Sequence, residues 1–304
     1  MTIQPILVTG AHRTGTTWVG KMLAGERYAY ISEPLNCHHR RGVFGIRINH
    51  WYQYITRDNQ EDFLPAYRDL LRLRYHLWTE LRSLRSRKDV GRMLRDLSIF
   101  ARGKILRQPL LIKDPFAVFS LPWFIHRLNF RVVVTMRHPA AFASSLKRLN
   151  WPFNFGNLLS QPLLMQDHLE PYRVEMQSMR EYDYIGQGAL LWRLIYTTVE
   201  KYQADYPEIV VVRHEDLSLN PLEQYRALYA DLGLPFTPKD ARRIERSSSS
   251  ENPDELTHGK THSVRLNSRA NLYNWKKRLT TEEITRVQTL CGDLLTRWYA
   301  DVEL

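Results

Sequence analysis

Residues 6–18 read ILVTGAHRTGTTW, and this stretch limits the possible folds more than any other. A continuous, partly β-branched apolar run ends in Gly10, and Gly15 then precedes two threonines and a helical pattern. An apolar run without alternation suits a strand covered on both faces. The loop is one residue away from the phosphate-cradling pattern G-x-x-x-x-G-K-[ST]: Gly10, Gly15 and Thr17 are in place, and Thr16 stands where that pattern has lysine. Between a strand and a helix, its backbone N–H groups and the positive helix end face an anion, with the Thr16 and Thr17 hydroxyls as added donors. The nearest fixed cation is Arg13. A lysine serves a β/γ-phosphate pair beside Mg²⁺, whereas an arginine before the second glycine suits one terminal anionic group. Two glycines that only make a tight turn are the plainer alternative.

Further runs of the same kind follow: LLIK at 110–113, RVVVTM at 131–136 and IVVVR at 209–213. Helical patterns follow the first, third and fourth runs, over about 16–25, from Pro139, and over 221–232 up to Gly233. Strand then helix, repeated, predicts an α/β fold: a single P-loop-like domain with a central, mostly parallel sheet flanked by helices. Ligands of such folds gather at the C-terminal ends of the strands. The later strands end in Lys113, Arg137 and Arg213, not in an aspartate that would hold magnesium, which weakens a nucleoside-triphosphatase reading. The 304 residues, 43% of them hydrophobic, support one domain over 1–304 with a basic helical insertion at about 50–107. The stretch 247–255, SSSSENPDE, reads as a mobile surface loop.

The net charge of +11 favours an anionic ligand, polymer or membrane surface. Between Arg68 and Arg107 there are twelve Lys or Arg and four Asp or Glu, so the excess is local. Cys37 and Cys291 are too few for a disulfide framework and lack metal-site spacing, so no metal and a reducing compartment are expected. No long apolar stretch reads as a span or signal. The expectation is a soluble cytoplasmic protein, with peripheral contact at the inner membrane surface as a further reading of the basic segment.

Arg137 ends the third run and Ser145 falls eight residues later on the next helix, so both can reach one phosphate. Here the chain resembles the PAPS-dependent sulfotransferases, the bacterial and carbohydrate types in particular, which take a sulfuryl group from 3′-phosphoadenosine 5′-phosphosulfate. The resemblance implies PAPS as co-substrate. Arg13, Thr14, Gly15, Thr16, Thr17 and Trp18 match the loop that binds the 5′-phosphosulfate, and Arg137 and Ser145 match the pair that binds the 3′-phosphate. LIKDPFAVF resembles a segment that brings Lys113 near the sulfuryl group. The segment from Arg269 through Trp275 and Lys276 resembles, more loosely, the C-terminal stretch that covers the nucleotide. The cytosolic enzymes for phenols and steroids have a catalytic His two residues after the matching lysine, where this chain has Pro115.

By the same resemblance, the Glu-Pro at 33–34 makes Glu33 the general base, with Arg13 and Lys113 stabilising charge on the sulfuryl oxygens. A hydroxyl must lose its proton as sulfur is transferred, and a carboxylate in a desolvated cleft suits that task. His38, His39 and Asp114 remain alternatives, as does a structural Glu33. The implied acceptor is a hydroxyl on a carbohydrate or glycolipid. Trp51, Tyr52, Tyr54, Trp151 and Phe153 offer aromatic faces for sugar rings and are equally ordinary as core. Residues 61–107 are expected to be helical, with Leu70, Leu73, Leu77, Leu81 and Leu84 on one face and arginines between them. That segment is an amphipathic helix packed on the sheet, a groove for an anionic saccharide, or a membrane contact. The rival classes are a P-loop kinase for a small molecule, dependent on Mg²⁺, and a basic nucleic-acid-binding protein, for which no motif is present. The oligomeric state is not legible.

Overall fold

The computed structural model describes residues 4–255 and 264–300; the outermost ends of the expected domain, 1–3 and 301–304, lie outside the described residues. Five strands, β1 (Ile6–Gly10), β2 (Ala29–Ser32), β3 (Leu110–Lys113), β4 (Arg131–Met136) and β5 (Val210–Arg213), form one sheet in the order β2-β3-β1-β4-β5. Every neighbouring pair is parallel, with Ile6 opposite Leu111 on one side and Arg131 on the other. Side chains alternate across the sheet. Leu7, Ile112, Val132 and Val134 join one core with the helix Tyr184–Asp205. Ile6, Val8, Leu111 and Val133 join the other with α1 (Thr16–Ala24). Because helices cover both faces, the central strands carry no polar alternation.

The chain leaves β1 for the β2 edge, returns through β3, and then crosses to β4 and β5. Direction therefore reverses at β1, where a crevice opens at the C-terminal ends of β1, β3 and β4. The four expected strands and the helices after β1, β4 and β5 all form. The fifth strand, β2, was not expected. It is a four-residue edge strand with Tyr30 half-buried and Ser32 exposed, too short for its pattern to stand out.

The expected helical run over 61–107 is broken into a short 3₁₀ turn and three helices: α2 (Leu64–Leu71), α3 (Leu77–Leu81) and α4 (Arg87–Ile105). Leu73 takes a positive φ of 50° after α2, and the Ser86 side chain caps α4 by accepting the Asp89 N–H. Leu70 and Leu73 are buried as expected, but Leu81 is exposed, so the single leucine stripe does not exist. Residues 50–59 at the start of the expected insertion are not helical. Ser247 and Ser248, expected in a surface loop, end the helix Pro238–Ser248, and Ser247 is buried. α5 (Leu121–Leu128) and α6 (Pro139–Leu149) complete the cover beside β4.

Candidate functional site

The turn after β1 can close only around glycine. A Cβ on Gly10, at φ 133°, would run into the Thr135 carbonyl, and one on Gly15, at φ 96°, would lie 2.8 Å from His214 Nδ1. α1 starts directly after Gly15, with no side-chain cap and no acidic residue in its first turn. Its first N–H groups and helix dipole are therefore left to an anion. Tyrosine hydroxyls take two other loop donors: Ala11 N–H donates to Tyr196 at 3.2 Å and His12 N–H to Tyr52 at 3.2 Å.

Cations converge on this helix end. Arg13 Nε donates to Ser145 Oγ at 3.2 Å, which brings the 5′ and 3′ motifs of the resemblance into contact. Burial, then Arg137 and Arg148, push the Arg13 pKa down to about 10. The Arg137 pKa is also lowered, by burial first and by Arg278 and Arg148 among its neighbours, against the opposing Glu215. Its Nε is buried without a hydrogen-bond partner among the described residues. Guanidinium groups crowded until they depress one another are stabilised by a polyanion. Arg148 and Arg278 were not singled out from the sequence. Arg148 could have been, because it falls three residues after Ser145 on the same helix face.

Other matched residues point elsewhere. The Thr14 hydroxyl is turned inward, donating to Ala11 O at 2.5 Å and lying 2.7 Å from Thr135 Oγ1. Trp18 is buried under the loop, its indole N–H donating to Ser247 at 2.8 Å. Arg269 donates to the Leu219 carbonyl at 2.9 and 3.1 Å. Trp275 stacks on His138, centroids 5.1 Å apart, next to Arg137, and Lys276 lies 5.6 Å over the Trp275 and Tyr273 rings.

On the other side of the loop, Glu33 takes the Lys113 ammonium on one carboxylate oxygen and the Asn36 amide, at 2.8 Å, on the other. Two chambers meet at Glu33, Asn36 and His38. One, of about 560 Å³, is lined by the cations Lys21, Arg40, Arg95 and Lys113 with Thr17, and by Ile31, Val43, Ile99 and Phe100. The other, of about 520 Å³, is walled by Trp51, Tyr52, Phe116, Trp151 and Phe153, with Arg13 and His12 at its inner end. Tyr54 is not in either wall; it is buried and donates to Asp167 at 2.8 Å. Arg13, Glu33 and Tyr52 all have positive φ, at 69°, 55° and 59°, and all line this aromatic chamber. Backbone strain of roughly 1 to 3 kcal/mol per residue clusters where side chains must be aimed.

The alternative bases differ in freedom. Asp114 is buried, which raises its pKa to about 7, and its two oxygens accept the Leu35 and Phe116 N–H groups at 2.6 and 3.0 Å. Both ring nitrogens of His39 lie against backbone carbonyls, those of Asn36 and Phe44. His38 is exposed and packs edge-on against Trp51. His12, within the loop, was not considered from the sequence because nothing in its spacing marks it. Burial, then Arg13, lower its pKa to about 3.

The sequence profile of the sulfotransferase domain family matches residues 4–299. Carbohydrate sulfotransferase 5 of Homo sapiens is 38% identical over 88 residues, covering 28% of this chain and 20% of that protein. Carbohydrate sulfotransferase 3 of Mus musculus is 24% identical over 172 residues, covering 55% and 33%. The chain thus spans no more than a third of the length of these curated relatives. A solved sulfotransferase from Mycobacterium avium aligns over 100% of this chain and 79% of its own, with TM-score 0.47 and 16% identity.

Proposed function

The chain belongs to the sulfotransferase domain family, and we propose that it transfers a sulfuryl group from PAPS to a hydroxyl of a carbohydrate or glycolipid. The observation that carries this is the Arg13–Ser145 hydrogen bond with Arg137 and Arg148 beside it, a crowd of positive charge at the uncapped start of α1. Such a site fits a ligand with phosphates at two ends. PAPS supplies the activated sulfuryl group. The N–H groups opening α1 and Arg13 bind its 5′ end, and Arg137 with Ser145 binds the 3′-phosphate. Lys113 and Arg13 balance charge on the sulfuryl oxygens. Glu33, at the junction of the two chambers, takes the acceptor proton. The aromatic chamber offers Trp51 and Trp151 to the flat face of a sugar ring, and the partial similarity to two carbohydrate sulfotransferases points the same way.

A thermal-shift comparison tests the nucleotide half. Adenosine 3′,5′-bisphosphate should stabilise the chain in the presence of EDTA, and AMP much less. ATP that stabilises only with Mg²⁺ would support the kinase class instead, and stabilisation by an oligonucleotide alone the nucleic-acid class. The acceptor half is tested by transfer of labelled sulfate from PAPS to a panel of saccharides and glycolipids. Transfer to phenols alone would overturn it.

A further inference from the structure

Helix α4 carries two apolar stripes where a surface helix has one. Met93, Asp96, Phe100 and Gly103 form the buried face. Val90, Leu94, Ala101 and Ile105 form another: at about 100° per residue they fall within roughly 60° of one another, well away from the buried face. This second stripe faces solvent, with Ile105 79% exposed, Leu94 56% and Val90 39%, and Leu106 just beyond the helix is 56% exposed. On α3, Trp78 is 76% exposed and Leu81 39%. Arg40 joins the two helices by donating to Glu80 on α3 and, at 3.2 Å, to the Asp89 carbonyl at the start of α4.

The charges around this apolar surface are predominantly positive. α4 carries Arg87, Lys88, Arg92, Arg95, Arg102 and Lys104. Its acidic residues are Asp89 and Asp96, and Asp96 is engaged by Arg40 and Arg95. Exposed aliphatic side chains and a fringe of arginines on a helix of low overall hydrophobicity are the features of a segment that lies in the plane of a lipid interface. Its apolar stripe enters the headgroup boundary and its cations meet lipid phosphates. We propose that the exposed stripe of α4 docks on an anionic bilayer, with Leu94, Ile105 and Leu106 entering it. Arg95, Ile99 and Phe100 wall the chamber beside Glu33 from the other side of α4, at least about 110° from the centre of the exposed stripe. The docking does not rest on the proposed sulfotransferase function.

Co-sedimentation of the full chain with vesicles tests it. Vesicles of phosphatidylcholine with about 30% phosphatidylserine should pellet the protein, phosphatidylcholine alone should not, and about 0.5 M salt should weaken binding without abolishing it. The neutral double variant Leu94→Ser/Ile105→Ser should lose about tenfold or more in binding with its thermal melt unchanged, since both positions are solvent-facing. Failure to bind serine-containing vesicles overturns the proposal. So does undiminished binding by the double variant, which would mark plain charge adsorption of a basic protein. If sedimentation velocity shows a concentration-dependent dimer that the double variant dissolves, the face belongs to a second copy and the proposal also fails. Adenosine bisphosphate binding, measured separately, tests the sulfotransferase reading alone.

Discussion

Glu33 and Lys113 are joined twice: the Glu33 N–H donates to the Lys113 carbonyl at 2.7 Å, and the Glu33 carboxylate takes the Lys113 ammonium. The sheet register produces this. Ser32 pairs with Lys113 at the ends of β2 and β3, so the next residue is delivered beside the lysine, and φ 55° turns its side chain back over the strand end. The Lys113 side chain is only 3% exposed, so the carboxylate holds a nearly buried cation as well as facing the chambers.

Replacing Glu33 with Gln therefore has two separable effects. A general base is worth about 10² to 10⁴ in rate, and that loss should appear in turnover with adenosine bisphosphate affinity nearly intact. Stability should also fall, by roughly 1 to 3 kcal/mol, because the Lys113 ammonium keeps a hydrogen bond but loses its counter-charge. Glu33→Gln with Lys113→Met should recover most of the melting temperature and none of the activity. A Glu33→Gln enzyme that keeps its rate would remove Glu33 from the chemistry.

Much of this was legible in the sequence, for physical reasons. The central strands β1, β3 and β4, covered on both faces, announce themselves as unbroken apolar runs, and so does the half-buried edge strand β5 through its three valines; β2, at the other edge and with two of its four residues not buried, did not. Loop spacing marked Arg13, Gly15 and Thr16, and strand-end placement marked Arg137. What stayed hidden depends on backbone conformation and tertiary contact. No pattern foretells that Arg13, Glu33 and Tyr52 share positive φ, or that Thr14 turns inward to Thr135. The leucine spacing over 70–84 suggested one helix, and the left-handed Leu73 and the Ser86 cap divided it.

Arg137→Ala should abolish the preference for adenosine 3′,5′-bisphosphate over AMP. A charge-assisted contact contributes about 1.5 to 3 kcal/mol, or about ten- to a hundredfold in affinity. Arg148→Ala, which removes a cation that depresses Arg13, should weaken both nucleotides by a smaller factor. Calorimetry on the two variants separates these outcomes. Equal affinity for both nucleotides in the unaltered protein would remove the 3′-phosphate assignment.

His12 Nδ1 and the Tyr52 hydroxyl are 2.7 Å apart, and the same hydroxyl already accepts the His12 N–H. We predict that the phenolic proton goes to Nδ1, which places the imidazole proton on Nε2. With its folded pKa lowered to about 3, the ring contributes stability above its ordinary value of 6.5 that is lost as pH falls toward 3. His12→Gln should thus lessen the drop in melting temperature between about pH 6 and pH 4. The acid limb of the pH–rate profile should not move, because His12 is neutral throughout that range. Nitrogen-15 spectra should show an Nε2–H tautomer at neutral pH; a cationic ring there would contradict the hydrogen-bond assignment.

Gly15→Ala tests the loop itself. At φ 96° an alanine is strained by about 1 kcal/mol or more, and its Cβ would lie 2.8 Å from the buried His214 Nδ1. His214 is buried and its ring packs edge-on against Trp18, centroids 5.7 Å apart, which resists its displacement. The backbone must shift instead, and with it the N–H groups that open α1. Adenosine bisphosphate affinity should fall by at least about tenfold, while the fold survives because both cores lie below the loop. A Gly15→Ala, His214→Ala double variant should recover part of that affinity by vacating the space. Full affinity in Gly15→Ala alone would mean that the anion is held by side chains and not by the loop backbone. Recovery in the double variant would tie the loop's shape, through one imidazole, to the helix end that binds the phosphate.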